Sequence, residues 1–311
     1  MKISNIVRVS HLLLAYYSGL SATSSGVEAR RLDEKTGDDT LENKVSFKLE
    51  HIDRYYSCGS TWHKKTAIYY PNNSDNNGKS YPVVLFARGS GGWKDDYEPW
   101  LKSIAEQDII VIAPEASIST PAHEAVHASV NITRCKEDGD LEYALEWALK
   151  NPDKLGATPD WSRIGVVGHS QGAKHIPTFI DTYTDHKISA AVLSHDGGDN
   201  LKMEHAHLHG VPSFFITSKN DKIQKKATTK VKDFYNKAPQ PKLYAELLHG
   251  GHGEPHGENC SKPYCYQLGR YYTGHFLACY LSHTESSCEK IKRICNNKSA
   301  PMEECVRPKK I

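Results

Sequence analysis

The chain has 311 residues, 38% hydrophobic and 24% charged, enough apolar material for a sizeable core and too much for a wholly disordered polypeptide. Lysine and arginine number 39 against 37 acidic residues, and the formal net charge of +2 offers no basic field to nucleic acid and no acidic field to a cationic partner. No apolar run approaches the roughly 20 residues that cross a bilayer, so a soluble globular protein without a transmembrane segment is expected.

At the N-terminus, Lys2 and Arg8 precede the short apolar run Leu12 to Tyr17, with small-residue sites ending at Ala22 and Ala29. This pattern predicts a secretory signal peptide over residues 1–22, or 1–29 if the second site is used. Cutting after Ala22 removes Lys2, Arg8 and no acid, which takes the formal charge from +2 to 0. Residues 23–43 are polar and aperiodic and read as a disordered arm. Eight cysteines follow (Cys58, Cys135, Cys260, Cys265, Cys279, Cys288, Cys295 and Cys305), six of them at or after Cys260. With no CxxC pair for zinc, this spacing suits disulfides in an exported protein, and the connectivity stays open. Sequons at Asn72, Asn131 and Asn297 fit the same secreted, glycosylated setting.

From Val45 the pattern becomes regular. Val45 to Tyr56 and Thr66 to Tyr70 read as two strands, Pro82 to Ala87 as a buried strand, and Tyr97 to Gln107 as a helix. Asp108 to Ala113 is the next strand. Asp140 caps a helix whose apolar face is Leu141, Ala144, Leu145, Trp147 and Ala148. Strand Ile164 to Val167, helix Gln171 to Thr182, and strands Ile188 to Leu193 and Pro212 to Thr217 continue the alternation. A basic helix at Lys225 to Lys237, a strand at Lys242 to Leu248 and a long helix at Leu268 to Leu281 complete it. Apolar strands alternating with helices predict a single α/β domain over 44–283, its mostly parallel sheet covered on both faces, followed by a cysteine-rich C-terminal tail over 284–311.

The sharpest local signal is Gly168-His169-Ser170-Gln171-Gly172, a G-x-S-x-G set between a strand and a helix. The turn must be tight for the serine hydroxyl to stand clear, and Gly168 and Gly172 remove side chains that would collide there. A serine becomes a nucleophile only when a base takes its proton and an acid orients that base. Asp221, in the loop Ser218-Lys219-Asn220 after a strand, is the preferred acid, with Asp196 and Asp199 as alternatives. His252 is the preferred base, since flanking glycines let it swing toward Ser170; His249 and His256 compete. Oxyanion donors are expected from the Gln171 amide and from the loop Arg88 to Trp93, with Ser90 N–H the candidate. Trp93 and His169 are candidate substrate-lining residues.

These motifs, in this order, resemble the α/β-hydrolase superfamily from about Val45 to Leu281. The layout is most similar to the compact cutinase, polyester-hydrolase and dienelactone-hydrolase-like serine esterases. The likeness is carried by Tyr81 to Val84 with its Gly-Gly loop, Gly168 to Gly172, Ser218 to Asp221 and Leu248 to His252. By that resemblance Ser170, Asp221 and His252 form the triad, and Ser90 and Gln171 the oxyanion hole. Arg88 stands where many such relatives carry His, and Gln171 where polyester hydrolases commonly carry Met; both bear on substrate more than on mechanism. Only Gly197 to Gly210 separate Asp196 from Val211, too short a segment for a lid, which implies an open cleft.

Three other features are discounted. Glu204 to His209, with alternate histidines, reads as a solvated loop before a metal site; Lys222 to Lys232 reads as a solvated helix face; Tyr271, Tyr272 and Phe276 read as core. The expectation is a secreted, monomeric carboxylic ester hydrolase without metal or organic cofactor, using an acyl-enzyme on short-acyl or polymeric esters. Alternatives are a lipase or thioesterase-like enzyme with the same triad, or a catalytically silent hydrolase fold that binds.

Overall fold

The computed structural model describes residues 44–55, 61–72, 78–89, 94–114, 140–183, 187–195, 208–222, 227–248, 251–253, 265–296 and 302–306. The expected signal peptide and polar arm lie outside them, as do Asn131 and Asn297. The described residues build one nine-stranded sheet. Its strands are β1 (Val45–Tyr55), β2 (Thr61–Pro71), β3 (Tyr81–Ala87), β4 (Ile110–Pro114), β5 (Pro159–His169), β6 (Ile188–Ser194), β7 (Ser213–Ser218), β8 (Lys242–Leu247) and β9 (Met302–Val306). Their spatial order is β1-β2-β4-β3-β5-β6-β7-β8-β9. Strands from β4 to β8 run parallel, whereas β1, β2 and β9 close the two sides with antiparallel pairs.

The apolar runs are continuous because both faces of the parallel strands are covered. Successive side chains point to opposite faces. Val83, Leu85, Ile164 and Val166 therefore pack with Leu145, Ile176, Phe179 and Phe234, which come from helices α2 (Asp140–Lys150), α3 (Gln171–Thr182) and α4 (Ala227–Lys237). Val84, Phe86, Val167 and Val192 face the other way, onto Trp100, Ile104, Phe276 and Leu277 of α1 (Lys94–Ala105) and α5 (Cys265–Ser282). The result is the expected α/β architecture, a mostly parallel sheet between two helical layers.

Several element ends differ from the hydrophobic pattern for one reason: strand pairing continues past the apolar stretch. β2 starts at Thr61, not Thr66, because it pairs with β1 out to Tyr55↔Thr61. β5 starts at Pro159, not Ile164, because its polar half lies along β3 from Tyr81↔Pro159 onward. Tyr272 and Phe276 are core residues as expected, but Tyr271 is 44% exposed.

The C-terminal extension carries two disulfides, Cys279–Cys288 and Cys295–Cys305. It forms α6 (Glu285–Arg293) and β9, which pairs antiparallel with β8. Helix α6 is held on α5 through His275, whose Nδ1 is 3.0 Å from Ser287 Oγ. The Lys290 ammonium donates to His275 Nε2 at 3.1 Å and sits 5.2 Å from the centre of the Tyr271 ring. That contact suits only a neutral imidazole. Burial first and Lys290 second push the His275 pKa down to about 4.

A histidine whose folded pKa lies below its unfolded value binds its proton more readily in the unfolded chain. His275 therefore contributes its full stability above about pH 6.5 and loses it progressively as pH falls toward 4. Over that window the melting temperature of the wild type is expected to fall more steeply than that of His275→Gln. Parallel melting curves in calorimetry, with equal slopes against pH, would contradict this.

Candidate active site

The chain reverses its lateral direction in the sheet beside β3: β4 lies on one side and β5 on the other. Loops leaving the carboxyl ends of adjacent strands diverge at such a point and leave a crevice. The register there is set by Ala87↔Gly168, so the loop after β3 emerges beside the turn after β5.

That turn is Ser170. It adopts φ +53° and ψ −120°, a combination rare for a residue with a side chain, and the chain passes from strand to helix α3 within this single residue. Its N–H donates to the Ser194 carbonyl at 2.8 Å, and its own carbonyl accepts from Ala173 N–H at 3.1 Å. Gly172 has no alternative here. A Cβ at that position would stand 2.2 Å from the Ala87 carbonyl oxygen.

The structure brings Ser170, His252 and Asp221 into one hydrogen-bonded line. His252 Nδ1 is 2.8 Å from Asp221 Oδ2, and His252 Nε2 is 2.7 Å from Ser170 Oγ. An ionised carboxylate only accepts, so Nδ1 carries the proton and Nε2 presents its lone pair to the serine hydroxyl, which donates. The Asp221 side chain is 1% exposed and that of His252 10%. Asp221 is fixed by a turn, its N–H donating to the Ser218 carbonyl at 3.1 Å. Asn220 Nδ2 donates to the Leu248 carbonyl at 3.3 Å, which ties the acid's loop to the segment leading to His252.

Of the expected oxyanion donors, Gln171 opens α3, where backbone N–H groups have no intrahelical carbonyl to reach and the helix dipole adds positive potential. Ser90 and Trp93 lie outside the described residues, as do the competing residues Asp196, Asp199, His249 and His256. So does the histidine-rich segment 204–207; His209, at its end, pairs with Asp181 at 2.8 Å. The loop before Ser90 is anchored by Arg88, which is buried and donates from Nη2 to the Ala113 carbonyl at 3.0 Å. The residue standing where relatives carry His thus ties the end of β3 to the end of β4.

His169, a candidate lining residue, is 2% exposed. Its Nε2–H donates to the His252 carbonyl at 2.8 Å, and its Nδ1 is 2.9 Å from the Tyr97 hydroxyl, which in turn accepts from Gly89 N–H at 2.9 Å. His195, fully buried at the end of β6, bridges Ser194 Oγ and Ser218 Oγ at 2.8 Å each. Its ring centre is 5.7 Å from that of His169 and 6.0 Å from that of His252. The sequence reading missed Tyr97 and His195 as members of this site. Neither belongs to a motif, and the hydrogen bond from Tyr97 to His169 spans 72 positions.

The chlorophyllase family model matches residues 43–197. The chain has the α/β-hydrolase fold. Chlorophyllases are themselves hydrolases of this superfamily, and the matched span runs from the first strand through the serine turn to the end of β6. Asp221 and His252 fall beyond it, so their place beside Ser170 rests on geometry alone. No curated protein matches the chain.

Gly172→Ala is expected to cost about 3 kcal/mol of stability, because backbone rather than a movable side chain blocks the new methyl. Denaturant titration checks this, and a loss below about 1 kcal/mol would show that the turn relaxes more easily than the packing indicates.

Proposed function

We propose that the protein hydrolyses carboxylic esters through an acyl-enzyme on Ser170. The observation that carries this reading is the Ser170–His252–Asp221 line, with contacts of 2.7 and 2.8 Å, at a strand-to-helix turn in a crevice. His252 Nε2 takes the hydroxyl proton as Ser170 Oγ attacks the carbonyl carbon. The tetrahedral oxyanion is held by the Gln171 N–H and by Ser90 N–H. His252 then returns the proton to the leaving alcohol, the acyl group stays on Oγ, and a water activated by the same nitrogen releases it. Asp221 balances the imidazolium charge and keeps the tautomer. No metal or organic cofactor enters these steps.

For the substrate, the short segment Gly197 to Gly210 supports an open cleft that takes short-acyl or polymeric esters, as in cutinases and polyester hydrolases. The family match supports a second reading, hydrolysis of chlorophyll to chlorophyllide. The N-terminal pattern and the two disulfides support secretion, as a monomer.

The test is hydrolysis of p-nitrophenyl esters from acetate to palmitate, with chlorophyll assayed beside them. Preference for short chains favours the open cleft, and release of chlorophyllide favours the second reading. Ser170→Ala should lower kcat by at least roughly 10³-fold in either case. Asp221→Asn, which lets the imidazole take the wrong tautomer, should lower kcat by roughly 10³–10⁴-fold with KM little changed. Activity that survives Ser170→Ala sinks the mechanism, and an inert wild type leaves a binding protein with a hydrolase fold.

A further inference from the structure

Resting on the acyl-enzyme reading, we infer that Tyr97 and His169 are positioning residues that set Gly89, at the exit of β3, and the catalytic histidine against one common reference. His169 is peptide-bonded to Ser170, so its place is that of the nucleophile itself. Two loops are gauged from this one ring. On one side, His169 Nε2–H donates to the backbone carbonyl of His252 at 2.8 Å, which fixes the root of the base rather than its ring. On the other, Tyr97 Oη–H donates to His169 Nδ1 at 2.9 Å while accepting Gly89 N–H at 2.9 Å, one residue before the candidate donor Ser90.

For a neutral His169 the hydrogen-bond roles in this relay follow from the His252 carbonyl. A carbonyl only accepts, so the ring's proton sits on Nε2 and Nδ1 accepts from the tyrosine hydroxyl. The phenol proton is then committed to His169, and its oxygen is left to accept from Gly89. Tyr97 is 1% exposed and His169 2%, and the bonds joining Tyr97 to His169 and to Gly89 are buried. In such surroundings a hydrogen bond is strong and directional, and an unmade one is costly. The space around the relay is equally tight. A Cβ on Gly89 would lie 3.0 Å from His169 Nδ1, from Ser170 Cβ and from the Tyr97 hydroxyl. Tyr97 further rests on Phe86 at 5.1 Å and on Trp100 at 6.5 Å between ring centres, so α1 holds it rigidly over the end of β3.

The hydrogen bonds of the relay run to the His252 carbonyl and the Gly89 N–H rather than to the reacting atoms. Their loss should therefore loosen the alignment of His252 and of Gly89, lowering kcat while leaving KM alone. The variants separate the two arms. Tyr97→Phe removes the acceptor for Gly89 and the donor to Nδ1. His169→Asn keeps an acceptor for Tyr97 but cannot reach His252. His169→Gln keeps a donor toward His252 but not the link to Tyr97. His169→Phe removes both.

The experiment measures kcat and KM on p-nitrophenyl acetate, the rate of Ser170 labelling by a fluorophosphonate, and the melting temperature. Tyr97→Phe should lower kcat and the labelling rate by about 10–100-fold, with KM within about twofold. His169→Asn and His169→Gln should each recover several-fold over His169→Phe. The inference is overturned if folded Tyr97→Phe keeps kcat within about twofold of wild type, if the loss falls on KM, or if all three His169 variants are equal. Should Tyr97→Phe fail to fold, the His169 series decides alone. A wild type that does not label at Ser170 removes the ester reading and this inference with it. A wild type that labels beside unaffected variants removes only the inference.

Discussion

Everything in the crevice depends on a single backbone constraint: the chain must leave β5 and enter α3 within one residue. Ser170 pays for that with φ +53° and ψ −120°, and the surrounding contacts hold it there. Its N–H is bonded to the neighbouring strand, Gly172 fits under the Ala87 carbonyl where no side chain could, and the register Ala87↔Gly168 brings the loop of β3 alongside. The direction of the side chain is set because the backbone has been denied other conformations.

Around that point the parallel sheet acts as a ruler. The ends of β5, β7 and β8 lie at one edge, and each delivers one member of the Ser170, Asp221 and His252 line. What the strands cannot specify, the distance between loops, is fixed by side chains that look ordinary in isolation. Arg88 ties β3 to β4, Asn220 ties the acid's loop to the segment before His252, and His195 bridges the ends of β6 and β7. Three imidazoles crowd the same region, with His169 and His252 ring centres 5.1 Å apart, yet they carry different hydrogen-bond roles.

Much of this was legible in the sequence. The alternation of apolar strands with helices predicted the sheet, and the glycine-flanked serine predicted its turn, because both are local patterns with a local cause. His252 and Asp221 read as base and acid from their position after strands, and both stand in hydrogen-bonded line with Ser170. Two kinds of feature were not legible. Strand ends at Thr61 and Pro159 depend on pairing rather than on hydrophobicity, and β9 depends on β8, which lies far from it in the chain. Tyr97 and His195 join the site through bonds to distant positions, and the position of His169 beside the nucleophile says nothing about which way its ring turns.

The span between Ser170 and His252 has a consequence of its own. They are 82 positions apart, and the strands β6, β7 and β8 must all be docked in order before they meet. A fragment lacking β6, β7 or β8 loses the strands that bring His252 to Ser170, and under the proposed ester hydrolysis a nascent chain gains activity only once β8 is docked. Under the proposed ester hydrolysis, turnover counts native molecules, as a fluorescent reporter would. An opening limited to the exit of β8 would silence the protein while spectroscopy still registered it as folded.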